Sequence, residues 1–180
     1  ALAVTREPAG GFNRSIRADN VIMTALASRR IELASPMLGE FGDNVFRHWP
    51  EARRVWLMNY TGDTVGAARF AVQAIENAAR NGWPWHASSA RLGWSYALRQ
   101  DGKPEEAERV LQPLPPESES IVWNEHENIN KERAAVWLAR GHADKALALA
   151  DAAIKRLSPV RLQADPYLSD LYLIRGQALL

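Results

Sequence analysis

The stretch Gly141-His142-Ala143-Asp144-Lys145-Ala146 stands between two apolar helical patterns and decides how the chain around it folds. On both sides of it the apolar residues recur three and four positions apart, which places them on one face of an α-helix. A glycine between two such segments supplies the left-handed residue that ends the first helix. Residues 129–157 are therefore predicted to form a helical hairpin. Its apolar positions are Ala134, Ala135, Trp137, Leu138, Ala146, Leu149, Ala150, Ala153, Ile154 and Leu157.

A glycine followed by an alanine five residues later also occurs twice upstream, at Gly62 and at Gly102. The three glycines are separated by 40 and 39 residues, and a large apolar residue precedes each of them by four positions. A repeat of this length with two helices in each unit predicts an all-α fold, an α-solenoid of antiparallel helix pairs. The residues that carry the repeat are Met58, Ala67, Ala71 and Ala74, then Leu98, Ala107, Leu111 and Leu114, then Trp137, Ala146, Ala150 and Ala153.

These residues resemble the tetratricopeptide repeat (TPR) family. The unit from Glu127 to Pro159 matches best, because Ala134 falls at the small position of the first helix, Trp137 at the usual tyrosine and Gly141 at the turn. Val55 and Ser95 occupy the small position in the two earlier units, and no unit has the usual opening tryptophan. The resemblance covers about residues 48–180. It implies a TPR-like superhelix that binds a protein or peptide in a concave groove lined by the first helices.

The amino-terminal third is predicted to differ from the repeats. Residues 1–14 contain Pro8, Gly10 and Gly11 and are interpreted as an irregular lead-in. Residues 15–48 are interpreted as a helical cap or a degenerate repeat. In this segment Asp19 begins a helix that runs to about Leu33, Ser35-Pro36 ends it, and a second helix extends from Met37 to His48.

Residues 49–180 hold the TPR-like units, at about 49–82, 86–116 and 121–159, with a partial unit at 165–180. Trp83-Pro84-Trp85 is predicted to connect the first two units, and the proline-rich run after Leu111 to interrupt the second. The last helix begins at Pro166. Its apolar face is expected to pack on the preceding unit or on residues beyond Leu180, and the chain is expected to be part of a longer protein.

The composition restricts the class of protein. Of the 180 residues, 47% are apolar and 24% charged, which is typical of soluble globular proteins. A net charge of +1 gives no electrostatic reason to expect nucleic acid or an anionic membrane as a partner. No apolar run is long enough for a membrane-spanning helix. The absence of cysteine fits both cytoplasm and periplasm, so the compartment stays open.

One cluster has the residue types of a catalytic or metal site. Glu125-His126-Glu127 is a carboxylate–imidazole–carboxylate run, but adjacent side chains on a helix point about 100° apart and do not converge. We interpret the run as a charged first helical turn, which the helix dipole favours. The sequence contains no phosphate-binding loop and no nucleophile motif. We therefore expect no enzymatic activity, catalytic residue, metal or cofactor.

The TPR resemblance implies the partner-binding positions. The groove-facing positions are Ala52, Trp56, Asn59 and Tyr60 in the first unit, Leu92, Tyr96, Arg99 and Gln100 in the second, and Asn128, Lys131, Ala135 and Leu138 in the third. The candidate contacts among them are Trp56, Asn59, Tyr60, Tyr96, Arg99, Gln100, Asn128 and Lys131. Such a mixture of aromatic and polar groups suits an extended or helical peptide. The same side chains could instead pack on a neighbouring helix, and the sequence leaves both interpretations open.

The predicted function is that of a protein-protein or peptide-binding scaffold module in a larger bacterial protein. The segment from Ala152 to Leu180 also resembles repeat regions attached to bacterial kinases and transcription regulators. One alternative is therefore a ligand-sensing regulatory domain of such a protein. Another is a periplasmic scaffold in a secretion or polysaccharide machine.

Overall fold

Every regular element in the computed structural model is an α-helix. The structure describes residues 21–22, 24–25, 30–38, 49–114, 123–157 and 166–180, and no strand occurs within these ranges. This confirms the all-α prediction. The helices are α1 (Ile31–Met37), α2 (Trp49–Tyr60), α3 (Thr64–Arg80), α4 (Pro84–Gln100), α5 (Pro104–Leu111), α6 (Trp123–Ala139), α7 (Ala143–Leu157) and α8 (Pro166–Ala178). The chain divides into two compact units, Ala1–Ala90 and Arg91–Leu180, and α4 contains residues of both.

The turns that follow α2, α3, α4 and α6 share one hydrogen-bond pattern. Each contains a glycine with positive φ, namely Gly62 at 85°, Gly82 at 70°, Gly102 at 72° and Gly141 at 78°. The N–H of the residue after the glycine donates to the carbonyl five residues before it, as in Asp63 to Met58 at 2.9 Å and His142 to Trp137 at 2.8 Å. This is the Schellman ending of a helix. The predicted closing role of these glycines is confirmed.

The equal lengths of two helices explain the 40-residue period. Helices α3 and α4 each contain 17 residues, and the turns on either side of α3 contain three. Gly62, Gly82 and Gly102 are consequently 20 residues apart. A helix pair with its two turns therefore occupies 40 residues, and the turn at Gly82 has the same geometry as those at Gly62 and Gly102.

In the first unit, a stripe of alanines on α3 lies buried. Ala67, Ala71, Ala74 and Ala78 recur at helical spacing and are at most 5% exposed. Helix α2 packs against α3 and buries its own Ala52 and Val55. Side chains no larger than a methyl group let two helix axes approach closely. At the start of α3, the Asp63 carboxylate accepts a hydrogen bond at 2.8 Å from the Gly66 N–H, which fixes the first turn.

The amino-terminal segment differs from its prediction. Residues 21–22 and 24–25 are helical, but Arg30 is not, and its N–H donates to the Ala25 carbonyl at 2.8 Å. A new helix, α1, then begins at Ile31 and contains Pro36. The predicted continuous helix to Leu33 and the predicted break at Ser35-Pro36 are therefore both wrong. Proline fixes its φ at a helical value, so a short helix contains it at the loss of one hydrogen bond.

In the second unit, α6 is the central helix. It packs against α5, α7 and α8, and α7 also packs against α8. The main core comprises Ala134, Ala146, Leu149, Ala150, Ala153, Leu157, Leu168, Leu171 and Ile174. Residues Ala146, Ala150 and Ala153, which the repeat pattern selected, are fully buried there, as is Ala107 on α5. Helix α8 thus packs on the preceding hairpin, while Tyr172 and Leu173 on its other side are exposed.

The helix boundaries also correct the predicted connector Trp83-Pro84-Trp85 between the first two TPR-like units. Pro84 begins α4, so Pro84 and Trp85 belong to a helix and only three residues separate α3 from α4. Proline is favoured at the first helical position because the N–H that it lacks would have no partner there. The predictions for residues 1–14, 39–48, 115–122 and 158–165 lie outside the described residues. Within the described part, no helix has the length and apolar character needed to cross a lipid bilayer.

Candidate functional site

The candidate site is built around an ion pair between α4 and α6. The Arg99 guanidinium donates from Nε to Glu132 Oε1 at 3.2 Å and from Nη2 to Oε2 at 3.3 Å. The side chain of Glu132 is 4% exposed and that of Arg99 is 20% exposed. A planar guanidinium that meets both oxygens of a carboxylate fixes the relative orientation of the two side chains. This pair therefore joins the carboxyl-terminal end of α4 to α6.

Two further residues of α4 complete the surroundings of the pair. The Ser95 hydroxyl, which is fully buried, donates to Glu132 Oε1 at 3.1 Å. The Tyr96 ring lies under the guanidinium, with its centroid 5.1 Å from Arg99 Cζ, in a cation–π contact. Ser95 stands at the small first-helix position of the TPR pattern. The Ser95 hydroxyl at this position gives the buried Glu132 carboxylate a third hydrogen bond.

A second ion pair extends the cluster to α8. Lys131 Nζ lies 3.0 Å from Asp170 Oδ2, and the Asp170 side chain is 55% exposed. Lys131 is adjacent to Glu132 on α6, so the two pairs join three helices in the order α4, α6 and α8. Burial alone would lower the pKa of the Arg99 guanidinium, but the Glu132 carboxylate and its hydrogen bonds, with smaller effects from Tyr96 and Asp170, raise it above its ordinary value. Arg99 therefore stays charged at every working pH.

The structure thus brings together three of the sequence-derived candidates, Tyr96, Arg99 and Lys131. Gln100, the next residue of α4, is exposed, and Asn128, one turn before Lys131 on α6, is half-buried. Sequence reasoning missed Glu132 and Asp170. The available signal for Glu132 was its helical spacing, three residues after Ile129 and four before Val136, which places it on the same face as these apolar residues. A carboxylate buried on that face requires a cationic partner.

The candidates on α2 have a different environment. Trp56 packs against a small apolar cluster formed by the amino-terminal segment, and its ring centroid lies 6.5 Å from that of Tyr60. Asn59 is buried, while Tyr60 is exposed. Trp56 therefore packs within the chain, whereas Tyr60 remains accessible. The side of α2 that carries Trp56 is at least partly covered by the amino-terminal segment.

A second polar cluster ties α5 to the end of α6. Trp137 Nε1 donates to Glu108 Oε1 at 3.1 Å, and Arg140 donates to the other oxygen of the same carboxylate. Arg133 also donates to the Leu114 carbonyl at 2.9 Å. Glu108 was not singled out from the sequence. These contacts hold a helix pair together, and Trp137, a predicted apolar position of the hairpin, packs partly buried against the main core.

Three other features lie apart from these clusters. A shallow recess in the first unit, with no room for a bound molecule, is lined by Glu51, Ala52, Ala74, Ala78, Trp83 and His86. The Trp83 and His86 rings make an edge-on contact there, with centroids 5.9 Å apart and an interplanar angle of 61°, so Trp83 has a packing role. The run Glu125-His126-Glu127 falls in the first turns of α6, and its side chains lie outside the described residues.

Asn130 on α6 is fully buried, and neither polar atom of its side chain has a hydrogen-bond partner among the described residues.

Comparison of the chain with known protein families, curated proteins and solved structures gives no match.

Proposed function

We propose that this chain is a TPR-like α-solenoid module of a larger bacterial protein and that it binds a protein partner through one face of α4, α6 and α8. This binding face comprises Tyr96, Arg99, Gln100, Asn128, Lys131 and Asp170. The observation that carries the proposal is the convergence of Tyr96, Arg99 and Lys131, which come from two helices and meet beside Asp170 of a third.

The ion pairs support a binding role because they fix the face before a partner arrives. The Arg99–Glu132 pair is largely removed from water, and a bidentate pair restricts both side chains to one geometry. A partner then loses less conformational freedom on binding than it would on a flexible surface. The aromatic ring of Tyr96 and the accessible amide of Gln100 provide the apolar and hydrogen-bonding contacts that a peptide requires.

The test is site-specific photo-crosslinking in the cells that produce the full-length protein. The photoreactive residue p-benzoylphenylalanine replaces Gln100 on the binding face. In the matched control it replaces Arg109, which is exposed on α5. We expect a discrete protein adduct from position 100, none from position 109, and loss of the adduct when Lys131→Glu reverses a charge of the face. Equal adducts at both positions, or no adduct at position 100, would contradict the proposal.

A further inference from the structure

Helix α8 is apolar on all its sides, but only part of it is covered. Leu171, Tyr172, Leu173 and Ile174 are consecutive, so their side chains point in four directions about 100° apart. Leu171 and Ile174 are buried in the main core, whereas Tyr172 is 54% and Leu173 61% exposed. A helix that is apolar all round is typical of a position enclosed by neighbours. We call the side of α8 that carries Tyr172, Leu173 and Gly176 the open face.

Helix α6 provides an internal comparison for α8. The segment Arg133-Ala134-Ala135-Val136-Trp137-Leu138 on α6 corresponds to Arg175-Gly176-Gln177-Ala178-Leu179-Leu180 on α8, at a constant offset of 42 residues. The alignment also pairs Ile129 with Leu171, and both are buried. Each helix packs on the one before it in the chain, α6 on α5 and α8 on α7. The two helices are therefore matched in sequence and in their contact with the preceding helix.

The two helices differ on another side. Asn130 and Ala134 of α6 are fully buried, and Ala134 packs in the main core with Ala146 of α7. The aligned residues of α8, Tyr172 and Gly176, are both exposed. The open face of α8 is therefore the counterpart of the α6 side on which α7, the next helix of the chain, packs.

The helices that cover α2 and α6 share one chemistry. Both bury alanines at spacings of four and then three residues: Ala67, Ala71 and Ala74 on α3, and Ala146, Ala150 and Ala153 on α7. Such small side chains let the axes of two helices approach closely. Gly176 on the open face has no neighbouring atom where a Cβ would stand, so it permits the same close approach.

We propose that α8 is the first helix of a further pair and that the next helix of the full-length protein packs antiparallel on its open face, with alanines at spacings of four and three residues directed at Gly176. The occupant belongs to the same protein, because α3 and α7 each follow the helix that they cover after a turn of three residues. The inference shares with the proposed function the premise of a larger protein, but it does not depend on the binding face.

Hydroxyl-radical footprinting with mass spectrometry tests whether the open face is covered in the full-length protein. Tyr60 on α2 is the internal control, because it has the same side chain as Tyr172 and is less exposed, at 37%. We expect Tyr172 to be oxidised severalfold more slowly than Tyr60. Oxidation of Tyr172 at the same rate as Tyr60, or faster, would overturn the proposal.

Photo-crosslinking in the full-length protein identifies the occupant. p-Benzoylphenylalanine replaces Leu173 on the open face and, in the matched control, Val65, which is 64% exposed on α3. We expect position 173 to form an adduct within one chain, with a segment after Leu180 that carries alanines at spacings of four and three residues. Position 65 should give no such adduct. An adduct with another protein, with a second copy or with a segment lacking this pattern would overturn the proposal, as would the absence of an adduct.

Two substitutions in the full-length protein test the close approach of the helices. Gly176→Leu introduces a bulky side chain, and the control Gly176→Ala introduces the methyl group that α6 carries at the aligned Ala134. We expect the oxidation of Tyr172 to rise severalfold in Gly176→Leu and to stay unchanged in Gly176→Ala. Hydrogen exchange in α7 should be the same in both variants, since residue 176 is exposed on α8. Equal oxidation of Tyr172 in the two variants would contradict close packing on the open face.

These outcomes are separable from the test of the proposed function. Crosslinking at Gln100 concerns the binding face, whereas footprinting of Tyr172 and crosslinking at position 173 concern the open face. A partner adduct at Gln100 together with a rapidly oxidised Tyr172 would retain the binding face and reject the further helix. A protected Tyr172 and an intrachain adduct without a partner adduct at Gln100 would reject the binding face alone.

Discussion

Arg99 and Glu132 form a bidentate ion pair that joins α4 to α6, with Nε–Oε1 and Nη2–Oε2 distances of 3.2 and 3.3 Å. The glutamate is almost completely removed from water, and Ser95 donates a third hydrogen bond to it. A buried pair of this kind contributes little relative to apolar packing, because both charges lose hydration. Removing one partner is far more costly, since the other charge then stays buried without compensation.

Arg99→Ala is therefore expected to destabilise the chain by about 3 kcal/mol, because Glu132 keeps its buried charge and loses its cation. The measurement is the free energy of unfolding in urea. The control is Lys131→Ala, whose partner Asp170 is more than half exposed. An exposed pair contributes less than about 1 kcal/mol. Similar small losses in both variants would mean that water screens the Arg99–Glu132 pair.

The alanine stripe of α7 is expected to exclude larger side chains. Ala150→Leu inserts three carbon atoms between packed helices at a fully buried position. We expect a destabilisation of about 2 kcal/mol from overpacking. Ala148 lies on the exposed side of the same helix, so Ala148→Leu serves as the control and should leave the thermal midpoint nearly unchanged. A tolerated leucine at position 150 would show that the two helices are not closely packed there.

Two glycines should respond to alanine in opposite directions. Gly141 has a φ of +78° and open space where a Cβ would stand, so the cost of Gly141→Ala is backbone strain, about 1 kcal/mol. Gly176 is exposed inside α8 and has no neighbouring atom that a Cβ would meet. Gly176→Ala should therefore stabilise the helix by about 0.8 kcal/mol. Thermal unfolding followed by circular dichroism measures both. A stabilising Gly141→Ala would contradict the turn geometry.

The Arg30–Glu32 contact gives α1 a dependence on pH. The hydrogen bond from Arg30, at 2.6 Å, lowers the pKa of the Glu32 carboxyl below its ordinary value of 4.5, with a smaller contribution from a backbone hydrogen bond. A lowered pKa means that the contact stabilises α1 above pH 4.5 and that the effect disappears as the pH falls through the lower value. An NMR titration should show the lowered pKa, and Arg30→Ala should return it towards 4.5. An unchanged Glu32 pKa in Arg30→Ala would contradict this assignment.

The helix ends and the buried helix faces could be predicted because their signals are local. A glycine such as Gly62, Gly102 or Gly141 ends a helix through bonds to the preceding turn, and apolar spacing identifies the buried face. The alanines five residues beyond these glycines are all fully buried. The period of 40 residues follows from two 17-residue helices and two short turns. All of these quantities depend on residues close together in sequence.

The contacts of the candidate site depend on distant residues and were less predictable. Arg99 and Glu132 are 33 residues apart, and nothing in the neighbourhood of either indicates the other. The break at Arg30 was likewise missed, because the apolar pattern of residues 21–33 continues through it. Trp56 could be placed on the correct helix, but its contact with Ile22, Ala25 and Ala34 depends on how the amino-terminal segment folds back.

The equal spacing of Gly62, Gly82 and Gly102 has a consequence for how such a chain can change length. Because the Schellman turns at these glycines have the same geometry, excising residues 63–102 would join the end of α2 to the start of α5 through a turn of the same kind. Duplicating the same block would add two further 17-residue helices, each followed by a turn of the same kind. A gain or loss of 40 residues at this place therefore leaves the order of helix ends and turns along the chain unbroken.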